Sequence, residues 1–311
     1  MTFNKEYKNI KKLADDELKF IEEFMVQNVD TREPLKSHII NFITAPSKRL
    51  RPLLSILFYK SAYGEITNEQ LKGLSAVELI HNASLIHDDI IDESNTRRGQ
   101  KTTASEFGNK LGVICGDYLL SVAMNIATNI NSADLLKNFS HTLNKMCIGE
   151  ISQNFDKFKI GTIDDYIEKS KNKTAYLFET ALLTPFIIHS KPSDNEIQHI
   201  KLQNDRQKKS KHKQFASDFG LNLGIAFQIR DDLLNLTKND NTKPVENDIS
   251  DGIYNAPVIY AGSVENYTNG VEKTRDLLNN YINKADINIK DLPNNEYKKG
   301  LEDFLELLKN D

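Results

Sequence analysis

The stretch ELIHNASLIHDDIIDESNTRRG, Glu78 to Gly99, decides how this chain reads. Leu79, Ile80, Leu85 and Ile86, continued by Ile90 and Ile91, fall at helical spacing, so the segment reads as one packed helix with a polar edge. On that edge Asp88 and Asp92 lie four apart and Asp89 and Asp92 three apart. Like charges so crowded destabilise a helix by roughly a few tenths of a kcal/mol per pair, so helix stability does not explain them. A carboxylate group of this kind suits a hard cation such as Mg²⁺, which takes one or two carboxylates and completes its shell with water and substrate phosphate. The adjacent Arg97 and Arg98 then become intelligible, because guanidinium forks bind phosphate oxygens bidentately.

Outward from this helix the 3.6-residue rhythm continues, with few glycines or prolines inside segments and no sustained period-2 alternation. The expected class is all-α, with helices at about 5–28, 34–43, 52–62, 67–91, 105–129, 132–157, 163–171, 173–188, 193–235, 254–261, 264–284 and 295–309. No Pro/Gly/Ser-rich linker divides the 311 residues, so a single helical domain over residues 1–311 is expected. A net charge of −4 gives no global case for nucleic acid. The two cysteines, Cys115 and Cys147, have no metal-site spacing and read as small apolar residues in a reduced compartment. The N-terminus lacks an apolar signal core, and no run approaches the length of a membrane span. A cytoplasmic protein without a stable membrane anchor is expected. One compositionally foreign segment, KLQNDRQKKSKHKQ from Lys201 to Gln214, reads as a solvated helix face, with a docking patch for anionic lipid or an acidic partner as the competing reading.

A second acidic site appears in FQIRDDLLNL, Phe227 to Leu236, where Gln228, Asp231 and Asn235 share a helix face. ASLIHDDIIDE and AFQIRDDLLNL look like one design used twice. Two such helices facing a cavity could hold several Mg²⁺ ions around one diphosphate. Basic residues recur where phosphate would suit them. SKRLRP offers Lys48, Arg49 and Arg51 at the start of a helix that Pro52 opens in its first turn. Lys173 with Thr174 begins another helix, and Lys243 precedes Pro244. His81, seven residues before Asp88, returns to the same helix face.

These motifs, in order from KRLRP through GDYLL, GEISQ, NKTAYLFE and FGLNLGIAFQIRDDLL to KPVENDISDG, resemble those of the trans-prenyl diphosphate synthases, or polyprenyl synthetases. The resemblance runs from about Ser47 to Pro257 and looks closest to bacterial long-chain synthases. It implies an antiparallel all-α bundle around a deep apolar cavity, a homodimer, and a transferase of isoprenoid biosynthesis that lengthens an allylic diphosphate with isopentenyl diphosphate. By that resemblance Asp88, Asp92 and Asp231 would hold three Mg²⁺ ions, supported by Asp89 and Asp232. Arg97, Lys173 and Lys243 would hold the allylic diphosphate, and Lys48, Arg51, His81 and Arg98 the isopentenyl diphosphate. Thr174 and Gln228 would line the path of the developing cation. Small residues below the first motif, Ala83 and Ser84 with Ile80 a turn deeper, would wall the growing tail and permit a product of at least twenty carbons.

The chain departs from the family pattern at four places. Pro46-Ser47 stands where Gly-Gly is usual, Asn235 replaces the last aspartate of the second motif, and Ile253 and Asn255 stand where a lysine and a threonine are usual. The basic segment at Lys201 to Gln214 is longer than the family pattern. Two other readings compete with elongation: a low-activity regulatory or binding subunit of a heteromeric synthase, and a class I terpene cyclase. A cyclase needs no second diphosphate site, so the Lys48, Arg51, His81 and Arg98 group argues against it.

Overall fold

A computed structural model describes residues 2–188, 199–237 and 247–309, with side chains over 6–188, 207–236 and 248–309. Described residues form fifteen α-helices, one π-helical turn and a single two-stranded ribbon. The all-α expectation therefore holds. The chain divides into two compact units: Lys11–Asn138 with Ala181–Leu202, and Met1–Ile10 with Phe139–Thr180 and Gln203–Asp311.

In the first unit the central element is α5 (Asn68–Ile91), which packs against α2 (Asp15–Gln27), α4 (Leu50–Tyr63) and α7 (Asn109–Asn129). A capping box starts α5: the Gln70 amide donates to Thr67 Oγ1 at 3.4 Å, and the Thr67 amide to Gln70 Oε1 at 2.8 Å. Leu74, Val77, Leu79, Ile80 and Ala83 on α5 and Leu53, Leu54, Ile56 and Leu57 on α4 are fully buried, each large side chain contributing about 1.5–3 kcal/mol. Among the described residues α7 is long and apolar enough to cross a membrane by composition, with a mean hydropathy of 1.5 and 44% of that window buried. That corrects the expectation of no membrane-length run. Part of its apolar surface is spent on α5.

In the second unit α11 (His199–Thr237) is the longest helix, and its core face is Ala216, Phe219, Leu223, Ala226 and Ile229. Gly220 and Gly224, one turn apart, let it approach neighbouring backbone. A Cβ on Gly220 would stand 2.9 Å from the Glu179 nitrogen, and one on Gly224 would stand 2.8 Å from Ala175 Cβ. On another side of the same turn, a Cβ on Gly149 of α8 (Ala133–Phe155) would meet the Lys173 nitrogen at 2.9 Å.

Several local features differ from the periodic pattern. The first expected helix is two, α1 (Thr2–Lys12) and α2, broken at Leu13–Ala14, where Ala14 has φ −140°. The helix expected at 105–129 is interrupted at Gly108, whose φ of 85° is open to glycine. The helix expected from 173 begins as the π-helical turn Lys171–Ala175 and becomes α10 at Tyr176. A ribbon pairs Thr96 with Lys101 and Arg97 with Gln100, strands too short to show any alternation in sequence.

Candidate active site

Asp88, Asp89 and Asp92 lie at the C-terminal end of α5, where the helix dipole disfavours negative charge. Helix stability therefore does not account for their position. Asp92 is exposed and Asp88 half-buried, whereas Asp89 is only 1% exposed. Arg97 Nε donates to Asp89 Oδ1 at 2.6 Å, and Asp89 Oδ2 is buried with no hydrogen-bond partner. Burial raises the Asp89 carboxyl above its usual range, opposed by the Arg97 hydrogen bond and charge.

Arg97 and Arg98 are neighbours in sequence with separate surroundings. Arg98 (φ 52°) and Gly99 (φ 76°) both take positive φ between the paired residues Arg97 and Gln100, the signature of a type I′ turn. Arg97 turns to Asp89, while Arg98 lies over the Phe42 ring, its Cζ 6.0 Å from the centroid. Arg98 Nη1 is buried without a partner. His81 is held among cations: Arg51 Nη1 donates to its Nε2 at 3.2 Å, which places the imidazole proton on Nδ1. Burial, then the charges of Arg51 and Arg98, push His81 well below the usual imidazole range, so it is neutral.

Lys48 is exposed at the head of α4. Arg49, read with it as a phosphate cation, instead turns inward, donating to Glu78 at 2.9 Å, to Glu22 at 3.2 Å and to the Ile43 carbonyl. The loop around Pro46-Ser47 needs no positive φ at either residue; Arg49 takes it, at 49°. The three residues expected to wall the tail, Ile80, Ala83 and Ser84, differ in burial. Ile80 and Ala83 are wholly buried in the first unit. Ser84 keeps accessible surface on the helix face it shares with His81, Leu85 and Asp88, because these four recur at helical spacing.

The second unit builds its acidic motif differently. Thr174, in the π-helical turn, donates to Gln228 Oε1 at 2.6 Å, and Gln228 Nε2 donates to Asp232 Oδ1 at 3.0 Å. Tyr166 of α9 (Ile163–Ser170) donates its hydroxyl to Asp232 Oδ2 at 2.6 Å. Both oxygens of this 4%-exposed carboxylate are thereby taken by neutral donors. Burial pushes Asp232 up to about 7, with the Tyr166 and Gln228 hydrogen bonds pulling the other way. Asp231 is half-buried, and Asn235 exposed. Lys173 pairs with Glu150 of α8 at 2.8 Å.

Lys243 lies outside the described residues. So do the side chains of Lys201 and Arg206, whereas Lys208, Lys211 and Lys213 are exposed on α11. Tyr166 and Glu150 are site residues that sequence reasoning missed. Glu150 sits inside the quoted GEISQ motif, so its signal was present; Tyr166 had none beyond an aromatic on an apolar face.

The acids present fit a divalent cation with oxygen ligands. A hard cation such as Mg²⁺ takes one or two carboxylates and completes its shell with water and substrate phosphate, which Asp88 and Asp92 at the end of α5 could supply. The unanswered Asp89 Oδ2 asks for a donor such as metal-bound water.

Comparisons with known proteins agree with this chemistry. The family model described as polyprenyl synthetase matches residues 32–294. The decaprenyl-diphosphate synthase of Dictyostelium discoideum is 32% identical over 290 residues, covering 85% of this chain and 60% of its own length. A prenyl transferase of Cyanidium caldarium is 29% identical over 324 residues, covering 94% of this chain and 95% of its own. In fold, a polyprenyl synthase from Caulobacter crescentus CB15, solved with calcium and isoprenyl diphosphate, superposes with a TM-score of 0.83 at 23% identity, covering 98% of both chains. With the family model spanning most of its length, the chain belongs to the polyprenyl synthetase family and is a prenyltransferase.

Proposed function

We propose that this prenyltransferase elongates an allylic prenyl diphosphate with isopentenyl diphosphate to an all-trans product of twenty carbons or more. The observation that carries the reading is the cation group of the first unit. A neutral His81 is flanked by Arg51 and Arg98, and one buried Arg98 N–H is left without an acceptor. Buried polar groups are normally satisfied, and an anion supplies what this one lacks. A second diphosphate site separates elongation from cyclisation of a single substrate.

Three Mg²⁺ ions held by Asp88, Asp92 and Asp231 would supply the charge that draws the diphosphate from the allylic carbon. The residues of the chain do the rest. Arg97, Lys173 and Lys243 would grip that diphosphate, with Arg97 held in place by Asp89 and Lys173 by Glu150. Arg51, Arg98 and the Nδ1 proton of His81 would orient the isopentenyl diphosphate, with exposed Lys48 at its edge. Thr174 and Gln228, fixed by their mutual hydrogen bond, would present oxygen dipoles to the developing allylic cation. The isopentenyl double bond attacks that cation, and the departing diphosphate takes the proton released as the new double bond forms.

A cytoplasmic homodimer is part of this proposal. Exposed Leu111, Val113 and Ile114 on α7 and exposed Ile148 and Ile151 on α8 give each unit apolar helix surface for a second copy to cover. A Bacillus subtilis relative, 31% identical over 252 residues, is named component 2 of a heptaprenyl diphosphate synthase, and this favours a second reading in which the chain is one component of a heteromeric enzyme. The test is turnover by the purified chain alone with Mg²⁺, isopentenyl diphosphate and a farnesyl primer, products read by mass spectrometry. Polyprenyl diphosphates longer than the primer are expected. No incorporation without a partner would replace the homodimer by the heteromer.

A further inference from the structure

The two halves of α11 have different surroundings. From Ala216 onward buried side chains recur in every turn, whereas between Gln207 and Phe215, among the described side chains, His212 alone is buried. That outlying half is basic: Lys201 to Gln214 holds six cations against one acid, in a chain whose net charge is −4. Lys208, Lys211 and Lys213 are exposed and Lys209 is half-buried. Lys208 and Lys211 are three apart and Lys209 and Lys213 four apart, so like charges meet on the helix surface and oppose the helix that carries them. Neither core packing nor helix stability accounts for these lysines.

α14 (Thr268–Ile289) meets α11 through polar side chains. Lys211 Nζ pairs with Asp291, just after α14, at 2.9 Å, and Asn222 Nδ2 donates to Asn288 Oδ1 at 3.4 Å. One turn before Asp291 stands Ile287, 60% exposed. Lys284 and Lys290, three residues to either side of Ile287, are exposed as well. Two acids share this surface: Asp291 answers Lys211, and Asp286 answers Lys290 at 3.7 Å. An aliphatic side chain is thus set among lysines from two helices, and none of the cations described there is an arginine.

That composition selects the occupant. Protein interfaces favour arginine and are depleted in lysine, and phosphodiesters or fixed carboxylates are gripped best by guanidinium forks. Lysines on long stems suit diffuse, mobile anions such as the headgroups of a bilayer, and an exposed aliphatic among them suits the boundary beneath those headgroups. We propose that Lys208, Lys211 and Lys213 of α11 with Ile287 of α14 form a docking surface for an anionic lipid bilayer. The contact is peripheral and reversible, because it rests on charge and one apolar side chain rather than on a spanning helix. It goes beyond the elongation reading and does not depend on it.

The test is co-sedimentation of the full chain with vesicles of phosphatidylcholine alone and of phosphatidylcholine with about one third phosphatidylglycerol, at low and at physiological salt. Binding to the anionic vesicles only, weakening as salt rises, is expected. Lys208→Gln/Lys211→Gln/Lys213→Gln should weaken it on the order of a hundredfold, about fivefold for each lysine removed, and arginine at the same three positions should retain it. Ile287→Ser should weaken it several-fold. Thermal midpoint and turnover in vesicle-free buffer should match wild type in every variant, which separates loss of docking from loss of fold. Equal binding to both vesicles, binding to neither, or anionic binding unchanged in both the triple lysine variant and Ile287→Ser overturns the proposal. A polyglutamate peptide bound as tightly as the anionic vesicles, with no effect of Ile287→Ser, assigns the surface to an acidic protein and also overturns it. Each of these results leaves the elongation reading to its own test, turnover on soluble substrates.

Discussion

The two acidic motifs bury their second aspartates equally and neutralise them in opposite ways. Asp89 is answered by a charge, Arg97 at 2.6 Å, and keeps one buried oxygen unanswered. Asp232 is answered by the Tyr166 hydroxyl and the Gln228 amide, which leave neither oxygen open. Arg97 answers the Asp89 charge through one oxygen and leaves the other, itself buried, without a donor. A carboxylate boxed by neutral donors is tied into the scaffold, here to α9 through Tyr166 and to its own helix through Gln228. The first motif therefore keeps an unspent acceptor beside a cation, and the second spends both acceptors on its neighbours.

That contrast is breakable at graded cost. Asp88→Ala or Asp92→Ala should lower turnover about 1000-fold, since losing a metal site removes several kcal/mol of transition-state stabilisation, while circular dichroism and thermal midpoint stay near wild type. Near-normal turnover at saturating Mg²⁺ would remove these residues from the catalytic set.

Arg97→Met strands the buried Asp89 charge and should cost about 3 kcal/mol of stability, read as a lower denaturation midpoint. Adding Asp89→Asn should recover most of it, because a neutral amide needs no counter-charge. Absence of recovery would mean that Arg97 stabilises by packing.

The smallest effect belongs to Tyr166→Phe, which removes one neutral donor and should cost about 1–2 kcal/mol. Because the helix that carries Asp231 would then lose this tie to α9, the Mg²⁺ concentration for half-maximal rate should rise several-fold, with KM for isopentenyl diphosphate unmoved. An unchanged Mg²⁺ response would confine Tyr166 to the core.

Much of this was legible in the residues. Helical periodicity located nearly every helix, and the spacing of Asp88, Asp89 and Asp92 with Arg97 and Arg98 marked the first motif, because charge on an apolar helix is costly and therefore informative. Features that depend on tertiary contact were not legible. Ala14 ends a helix with no glycine or proline to announce it. The π-helical turn around Lys173 is decided by the neighbours that seat against it. The inward turn of Arg49 follows from Glu22 and Glu78, 27 and 29 residues away, which no local window joins. Closeness to the acids along the helix was legible for Ile80, Ala83 and Ser84, whereas the full burial of the first two and the partial exposure of Ser84 depend on the neighbours each side of the helix meets.

The glycines that seat the Lys173 turn carry one more consequence. Gly149 and Gly224 bring two helices against its backbone and the Cβ atoms of Asn172 and Ala175, with no long side chain between to yield. Helices separated by long side chains can drift by small, independent replacements, each absorbed by a new rotamer. Here there is nothing to absorb a change: one methyl on either glycine shifts the peptide that presents Lys173 and Thr174. Each of these positions, on separate helices and distant in the chain, is therefore constrained in its own right, and the turn inherits its precision from what its neighbours lack.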